Sequence, residues 1–243
     1  TQDDAMLLRC MTELSRIYLA SDKIQQAESL ARNTYERSRL RFGANNPKSL
    51  RRGQVLVECL GKLGRLDDAQ DLSTQIVSKL QMALGQSHPD TLGAMDSLAN
   101  IAAARNDFNL ALEQYLQILK LKEEELGSMH PETLNTLNAT AEIYRKLDML
   151  EEAKKAQYTV YQRLQEKYGH EHPETLRSMN ELADLHLELG EEDSAFSISE
   201  RALAIERAIM GEKDPMTLNT LFRIGKLHYL AQRTDEAMVI LGE

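Results

Sequence analysis

The chain has 243 residues, a net charge of −9, no tryptophan, five prolines and 12 glycines, a profile that favours helices over sheets. No stretch approaches the roughly 20 apolar residues that cross a bilayer as a helix, and the acidic balance, with no basic stripe interleaved with aromatics, argues against nucleic acid as a partner. Two cysteines, Cys10 and Cys59, are too few for a disulfide framework, so a reducing, cytoplasmic setting is expected. The polar opening Thr1-Gln2-Asp3-Asp4 contains no signal pattern and reads as the start of an internal fragment.

Internal periodicity organises the rest. Pro47, Pro89, Pro131, Pro173 and Pro215 are 42 residues apart, and Gly43, Gly85, Gly127, Gly169 and Gly211 recur in step, each four residues before a proline. Leucine stands three residues after each proline, and alanine 22 residues after, at Ala69, Ala111, Ala153, Ala195 and Ala237. Leu8 and Ala27 occupy the same phases one period earlier, so the array has six copies: approximately 5–46, 47–88, 89–130, 131–172, 173–214 and a truncated 215–243. These form a single all-α repeat domain.

Each copy reads as two helices. Helix A opens at the proline, whose missing N–H has no partner in a first turn anyway. The preceding residues are Asn46, His88, His130, His172 and Asp214, of which Asn and Asp are strong caps. Asp90, Glu132 and Glu174 then suit the positive end of the helix dipole. Apolar or small residues follow at helical spacing, as in Leu134, Leu137, Thr140, Ala141, Ile143 and Tyr144 of the fourth copy. A turn comes at Gly64, Asn106, Asp148 or Gly190, and helix B opens with Leu66, Phe108 or Leu150 and runs to the repeating glycine. The small column Ala99, Ala141, Ala183 and Gly225 on helix A, and the Ala153 column on helix B, let the two axes approach closely. One such hairpin cannot bury both faces, so the copies must stack as an α-solenoid.

The repeated His-Pro-Asp/Glu-Thr-Leu at 88–92, 130–134 and 172–176, with the run from Met179 to Ala195 and Glu200 to Gly211, resembles the tetratricopeptide repeat. The likeness is to its 42-residue form, found in kinesin light chains and in repeat regions of STAND/NLR-type NTPases. Asn46-Pro47-Lys48-Ser49-Leu50 and Asp214-Pro215-Met216-Thr217-Leu218 depart from it in lacking the histidine. A HEAT or armadillo solenoid has a similar period and is the alternative architecture. The resemblance implies a concave groove lined by the A helices, in which a peptide segment of a partner protein docks, and an adaptor or cargo-binding scaffold. The alternative function is a ligand-sensing or autoinhibitory region of a larger STAND-type signalling NTPase.

Three phases carry the expected groove. Seven residues after the proline come Gln54, Asp96, Asn138 and Asn180, with Thr12 in the first copy; four after come Arg51, Asn135 and Arg177, preceded by Arg9; eleven after come Glu58, Asn100, Glu142 and Asp184, preceded by Arg16. Asn138 and Asn180 retain the family asparagine, whose amide can donate to and accept from a peptide backbone at once. Residues 5–88 hold 13 Lys/Arg against 8 Asp/Glu, and residues 89–214 hold 13 against 25, so an acidic segment of the partner is expected at Arg9, Arg16 and Arg51. No enzyme, cofactor or metal is expected. Gly61-Lys62-Leu63-Gly64 lacks the first glycine of a phosphate loop, and His170 and His172 have no third or fourth zinc ligand nearby. Cys59, His186 and His228 fall in packing phases.

Overall fold

A computed structural model describes residues 2–232 and residue 238. The first hairpin is α1 (Gln2–Ala20) and α2 (Ile24–Phe42), the second α3 (Pro47–Lys62) and α4 (Leu66–Leu84), the third α5 (Pro89–Ala104) and α6 (Phe108–Glu125). The fourth is α7 (Pro131–Lys146) and α8 (Leu150–Tyr168), the fifth α9 (Pro173–Glu188) and α10 (Glu192–Ile209), and α11 (Pro215–Leu230) is helix A of the sixth. Residues 233–237 and 239–243 of the sixth copy, including Ala237, lie outside the described residues. All elements among the described residues are helices, and each proline opens one, as the spacing predicts.

Besides the proline that opens the helix, three positions of the His-Pro-Asp/Glu-Thr-Leu segment have a physical meaning. Each residue before the proline caps its helix: Asn46 Oδ1 accepts from the N–H of Lys48, and Asp214 Oδ1 from that of Met216. His88, His130 and His172 do the same through Nδ1, accepting from the N–H of Asp90, Glu132 and Glu174 at 3.1, 3.3 and 3.2 Å. The imidazole here replaces an Asn side chain, which requires the Nδ1 lone pair to be free. The threonine ties the helix to the connection before it: Thr91 Oγ1 donates to the Gly85 carbonyl and Thr133 Oγ1 to that of Gly127. The leucine enters the core, with Leu50, Leu92 and Leu176 fully buried.

Two columns take left-handed backbone. Asp22, Gly64, Asn106, Asp148, Gly190 and Gln232, each 17 residues into its copy, turn the chain from helix A to helix B at φ between 57° and 74°. The glycines from Gly43 to Gly211 close helix B. Nothing lies within 4 Å of a Cβ built on these glycines, so backbone angle alone, and not crowding, calls for them.

By internal packing the chain comprises two compact units, Thr1–Glu125 and Leu126–Glu243. In the first, α2 packs between α1 and α3, α4 between α3 and α5, and consecutive A helices also touch. In the second, α8 packs between α7 and α9, and α10 between α9 and α11. Ala27, Ala69, Ala111, Ala153 and Ala195 are all 0 % exposed, and Ala99, Ala141 and Ala183 are buried beside them. Gly53 marks one local variation: it stands where later copies have Met95, Leu137 and Met179. A Cβ there would meet Ile76 Cδ1 at 2.8 Å and the Tyr35 ring at 3.0 Å, so these two side chains fill the space.

Candidate functional site

In the first unit, Arg16 on α1, Gln54 and Glu58 on α3 and Asn100 on α5 line one hollow of about 490 Å³, with Val55, Val57 and Ile101 as its apolar lining and Lys62 beside them. Helical spacing from proline to proline brings these polar side chains to one face. Gln54 Nε2 donates to the Asp90 carbonyl at 3.2 Å, linking α3 to the start of α5. Arg9 and Arg51 are exposed, and Arg51 is held by Asp90. Beside them Arg52 is buried and donates to the Lys48 carbonyl. Its pKa is lowered by burial first and by the charges of Arg51 and Arg9 next. The Thr12 hydroxyl turns back to the Leu8 carbonyl of its own helix.

In the second unit, Asn138 and Glu142 on α7 line a hollow of about 730 Å³ together with Gln157 on α8 and Glu181 and Glu188 on α9; Arg145, Lys146 and Asp148 complete its polar wall. The Asn138 side chain is half-buried and its amide has no hydrogen-bond partner among the described residues. Arg145 pairs with Glu188, and that bond is the main reason its pKa is raised. Burial pushes the Glu181 carboxyl above the ordinary carboxylate range, while the hydrogen bond from Gln157 Nε2 (2.8 Å) pulls it back. Asn135 and Arg177 are exposed one turn nearer the N-termini of α7 and α9.

Three expected groove residues have different surroundings. Asn180 is only 8 % exposed. Its Nδ2 donates to Glu206 Oε1 on α10 at 2.7 Å, and its Oδ1 accepts from Arg223 Nη1 on α11 at 2.9 Å, so its amide is committed inside the fold. Asp184 is forked by Arg223, at 2.5 and 3.1 Å. Asp96 accepts from Lys122 Nζ at 2.5 Å, and Lys122 is 2 % exposed. The physical reason is common to the two copies. Lys122 and Glu206 stand 33 residues after their prolines, where the second and fourth copies have Leu80 and Leu164. A buried charge must be paired, and the nearest polar side chain on helix A is the one seven residues after the proline. A charge within a leucine column was the signal in the sequence. Arg223 and Glu181, eight residues after their prolines and one beyond the expected phase, stand in a column whose other members are Glu13, Val55, Ser97 and Ala139, which gave no consistent signal in the sequence.

The remaining chemistry is structural. Cys59 is 0 % exposed, and burial pushes its thiol up to about 12, the opposite of an activated nucleophile. His186 pairs with Glu191, and His228 packs edge-on against Phe196 with ring centroids 5.1 Å apart. His172 caps α9 and stacks on Tyr168. Among the described residues no group of three or more His, Cys, Asp or Glu could hold a metal ion, and no helix is long and apolar enough to cross a membrane.

A search of curated proteins returns no match. Solved structures show the same fold. BtubC (BKLC) from P. vanneervenii superposes with a TM-score of 0.78 at 21 % identity, covering 90 % of this chain and 88 % of that one. The nearly identical TPR-like repeats of a kinesin light chain from Podosopora anserina give 0.73 at 24 % identity, covering 81 % and 92 %. A STAND protein with a tetratricopeptide repeat sensor from Pyrococcus horikoshii gives 0.71 at 14 % identity, covering 95 % of this chain but 37 % of that one. Family models described as tetratricopeptide repeat match residues 7–48, 90–157 and 132–205. With its period, capped A helices and alanine columns, the chain belongs to the tetratricopeptide repeat family.

Proposed function

We propose that the chain is a protein–protein interaction scaffold that binds a peptide segment of its partner along the helix-A faces. The observation that carries this reading is the repeated hollow between successive A helices, lined by polar side chains, of which the Asn138 amide has no hydrogen-bond partner among the described residues. An extended peptide presents one N–H and one C=O per residue, and an amide that both donates and accepts can hold it in register. The exposed Arg9, Arg16 and Arg51, of which Arg16 lines the hollow of the first unit, favour an acidic stretch of the peptide there. Such attraction between exposed groups is screened over about 10 Å at 0.1 M salt, so affinity for an acidic peptide should fall as salt is added. An affinity independent of salt would remove the acidic preference.

The fold shared with kinesin-light-chain repeats supports an adaptor role in the cytoplasm. A second reading, a sensing region within a larger STAND-type switch, is supported by the Pyrococcus horikoshii structure, of which this chain spans 37 %. Both use the same surface. The test is a peptide selected on the chain from a random library, with a photo-crosslinking residue placed at Gln54, at Asn138 or at the exposed Tyr158 of α8. Crosslinks from 54 and 138 but not from 158 are expected. Crosslinks from 158 alone would put the binding surface on the B helices and end this reading.

A further inference from the structure

The gap between α9 and α11 already contains a ligand-like group supplied by the chain itself. The Arg223 guanidinium is held in two bonds by Asp184 and in a third by Asn180 Oδ1, and the side chain is only 10 % exposed. Asn180 and Asp184 stand seven and eleven residues after Pro173, one turn apart on the same face. One repeat earlier the same two phases hold Asn138 and Glu142, an amide and a carboxylate again. There the position equivalent to Arg223 is Glu181. A carboxylate cannot pair with Glu142, and the place that a guanidinium fills between α9 and α11 remains a hollow of about 730 Å³ between α7 and α9.

The geometry points to an arginine side chain of the bound partner as the occupant of this α7/α9 hollow. The inference rests on the peptide-binding reading of the same surface and names the chemistry of one contact. Glu142 makes no ion pair among the described residues, and the Asn138 amide is unbonded. Glu181, held at the edge by Gln157, adds a second carboxylate. Of the two cations that line the hollow, Arg145 is engaged by Glu188, and the exposed Lys146 is outnumbered by Glu142, Glu181 and Asp148. A planar guanidinium with five donors can fork onto the Glu142 carboxylate and reach Asn138 Oδ1 together, as Arg223 does one repeat later; an ammonium is a point charge and cannot. Because Leu164 stands where Glu206 would engage the amide N–H₂, Asn138 keeps its donor for a main-chain carbonyl of the same peptide.

The test titrates the whole chain with the tripeptide acetyl-Gly-Arg-Gly-amide and with its lysine and citrulline counterparts, following the Asn138 side-chain amide by NMR. The arginine peptide should shift that resonance saturably, the lysine peptide should bind about tenfold more weakly for want of the bidentate contact, and the citrulline peptide should leave it still. Glu181→Arg should fill the hollow from within and abolish the response. Glu142→Gln, at an exposed position, should weaken the arginine peptide about tenfold without altering the melting temperature. No shift with the arginine peptide, or an equal shift with citrulline, overturns the inference. Library peptides that crosslink at 54 and 138 with no dependence on arginine would also overturn it while leaving the scaffold reading intact. Crosslinking confined to the B helices would remove both.

Discussion

The hairpins α7/α8 and α9/α10 share every landmark of the repeat and differ in what they do with one asparagine. Asn138 faces a hollow with its amide free, whereas Asn180 is buried and bonded to Glu206 and Arg223. In the first unit Gln54, bonded to the Asp90 carbonyl, lines a hollow, and its copy has Leu80 in the phase where the next has Lys122; Asp96 is tied to that buried Lys122. Whether a helix-A side chain is available to a partner is therefore decided by a helix-B residue 26 positions later in the chain. The lesson is that phase along helix A locates the surface, while the residue packed behind it determines which positions are open.

The sharpest way to break this contrast is to truncate both asparagines. Asn180→Ala would leave the Glu206 carboxylate buried without a partner, since its Oε2 has none already, and should cost about 3–5 kcal/mol in denaturant unfolding. Asn138→Ala should stay within about 0.5 kcal/mol of the parent. Adding Glu206→Leu to Asn180→Ala, which restores the leucine of the second and fourth copies, should recover most of the loss. Equal effects of the two single changes would mean that the asparagines are not in different environments.

The alanine column should by contrast be indifferent to the hairpin it stands in. Ala153 and Ala195 are both 0 % exposed, so Ala153→Leu and Ala195→Leu should each cost about 1–3 kcal/mol through overpacking. Ala204→Leu, on the exposed side of α10, should be nearly neutral by the same thermal melts. The caps should also behave alike: His130→Ala and His172→Ala should each cost about 1 kcal/mol, and His→Asn at either site should restore it. A His→Asn change as damaging as His→Ala would show that the ring's packing, and not its Nδ1, matters.

The smallest effect concerns the ion pair that joins the two hairpins. Glu191 has its pKa lowered, chiefly by the hydrogen bond from Lys154 on α8 and next by His186. A carboxylate depressed in the folded state adds stability above its unfolded pKa, and that stability is lost as the pH falls through the folded value. Lys154, raised mainly by its bond to Glu191, adds its share below its unfolded pKa and loses it as the pH rises through the folded one. Glu191→Gln should therefore flatten the fall in melting temperature on acidification and leave the neutral value little changed, since the pair is partly exposed to solvent. An unaltered acid limb would remove the pair from the account.

Much of the fold was legible because it is local and periodic. Prolines mark helix starts, alanines mark close helix contacts, and Gly64, Asn106, Asp148 and Gly190 mark the turns, where the backbone is left-handed. The candidate site was legible in part. Arg16, Gln54, Glu58, Asn100, Asn138 and Glu142 line hollows as their phases predict. Asn180, Asp184 and Asp96 do not stand open, because the buried charges and the arginine that engage them lie on other helices, and periodicity along one helix carries no information about them. The capping histidines illustrate the same limit: the sequence places them before a proline, but only the geometry shows Nδ1 accepting a backbone N–H.

The most direct measurement is to follow the side-chain amides of Asn138 and Asn180 by NMR while a library-selected peptide is added to the chain. The account predicts that the Asn138 signal moves with the binding isotherm while that of Asn180, held by Glu206 and Arg223, stays in place. Movement of Asn180 with Asn138 unmoved would contradict it.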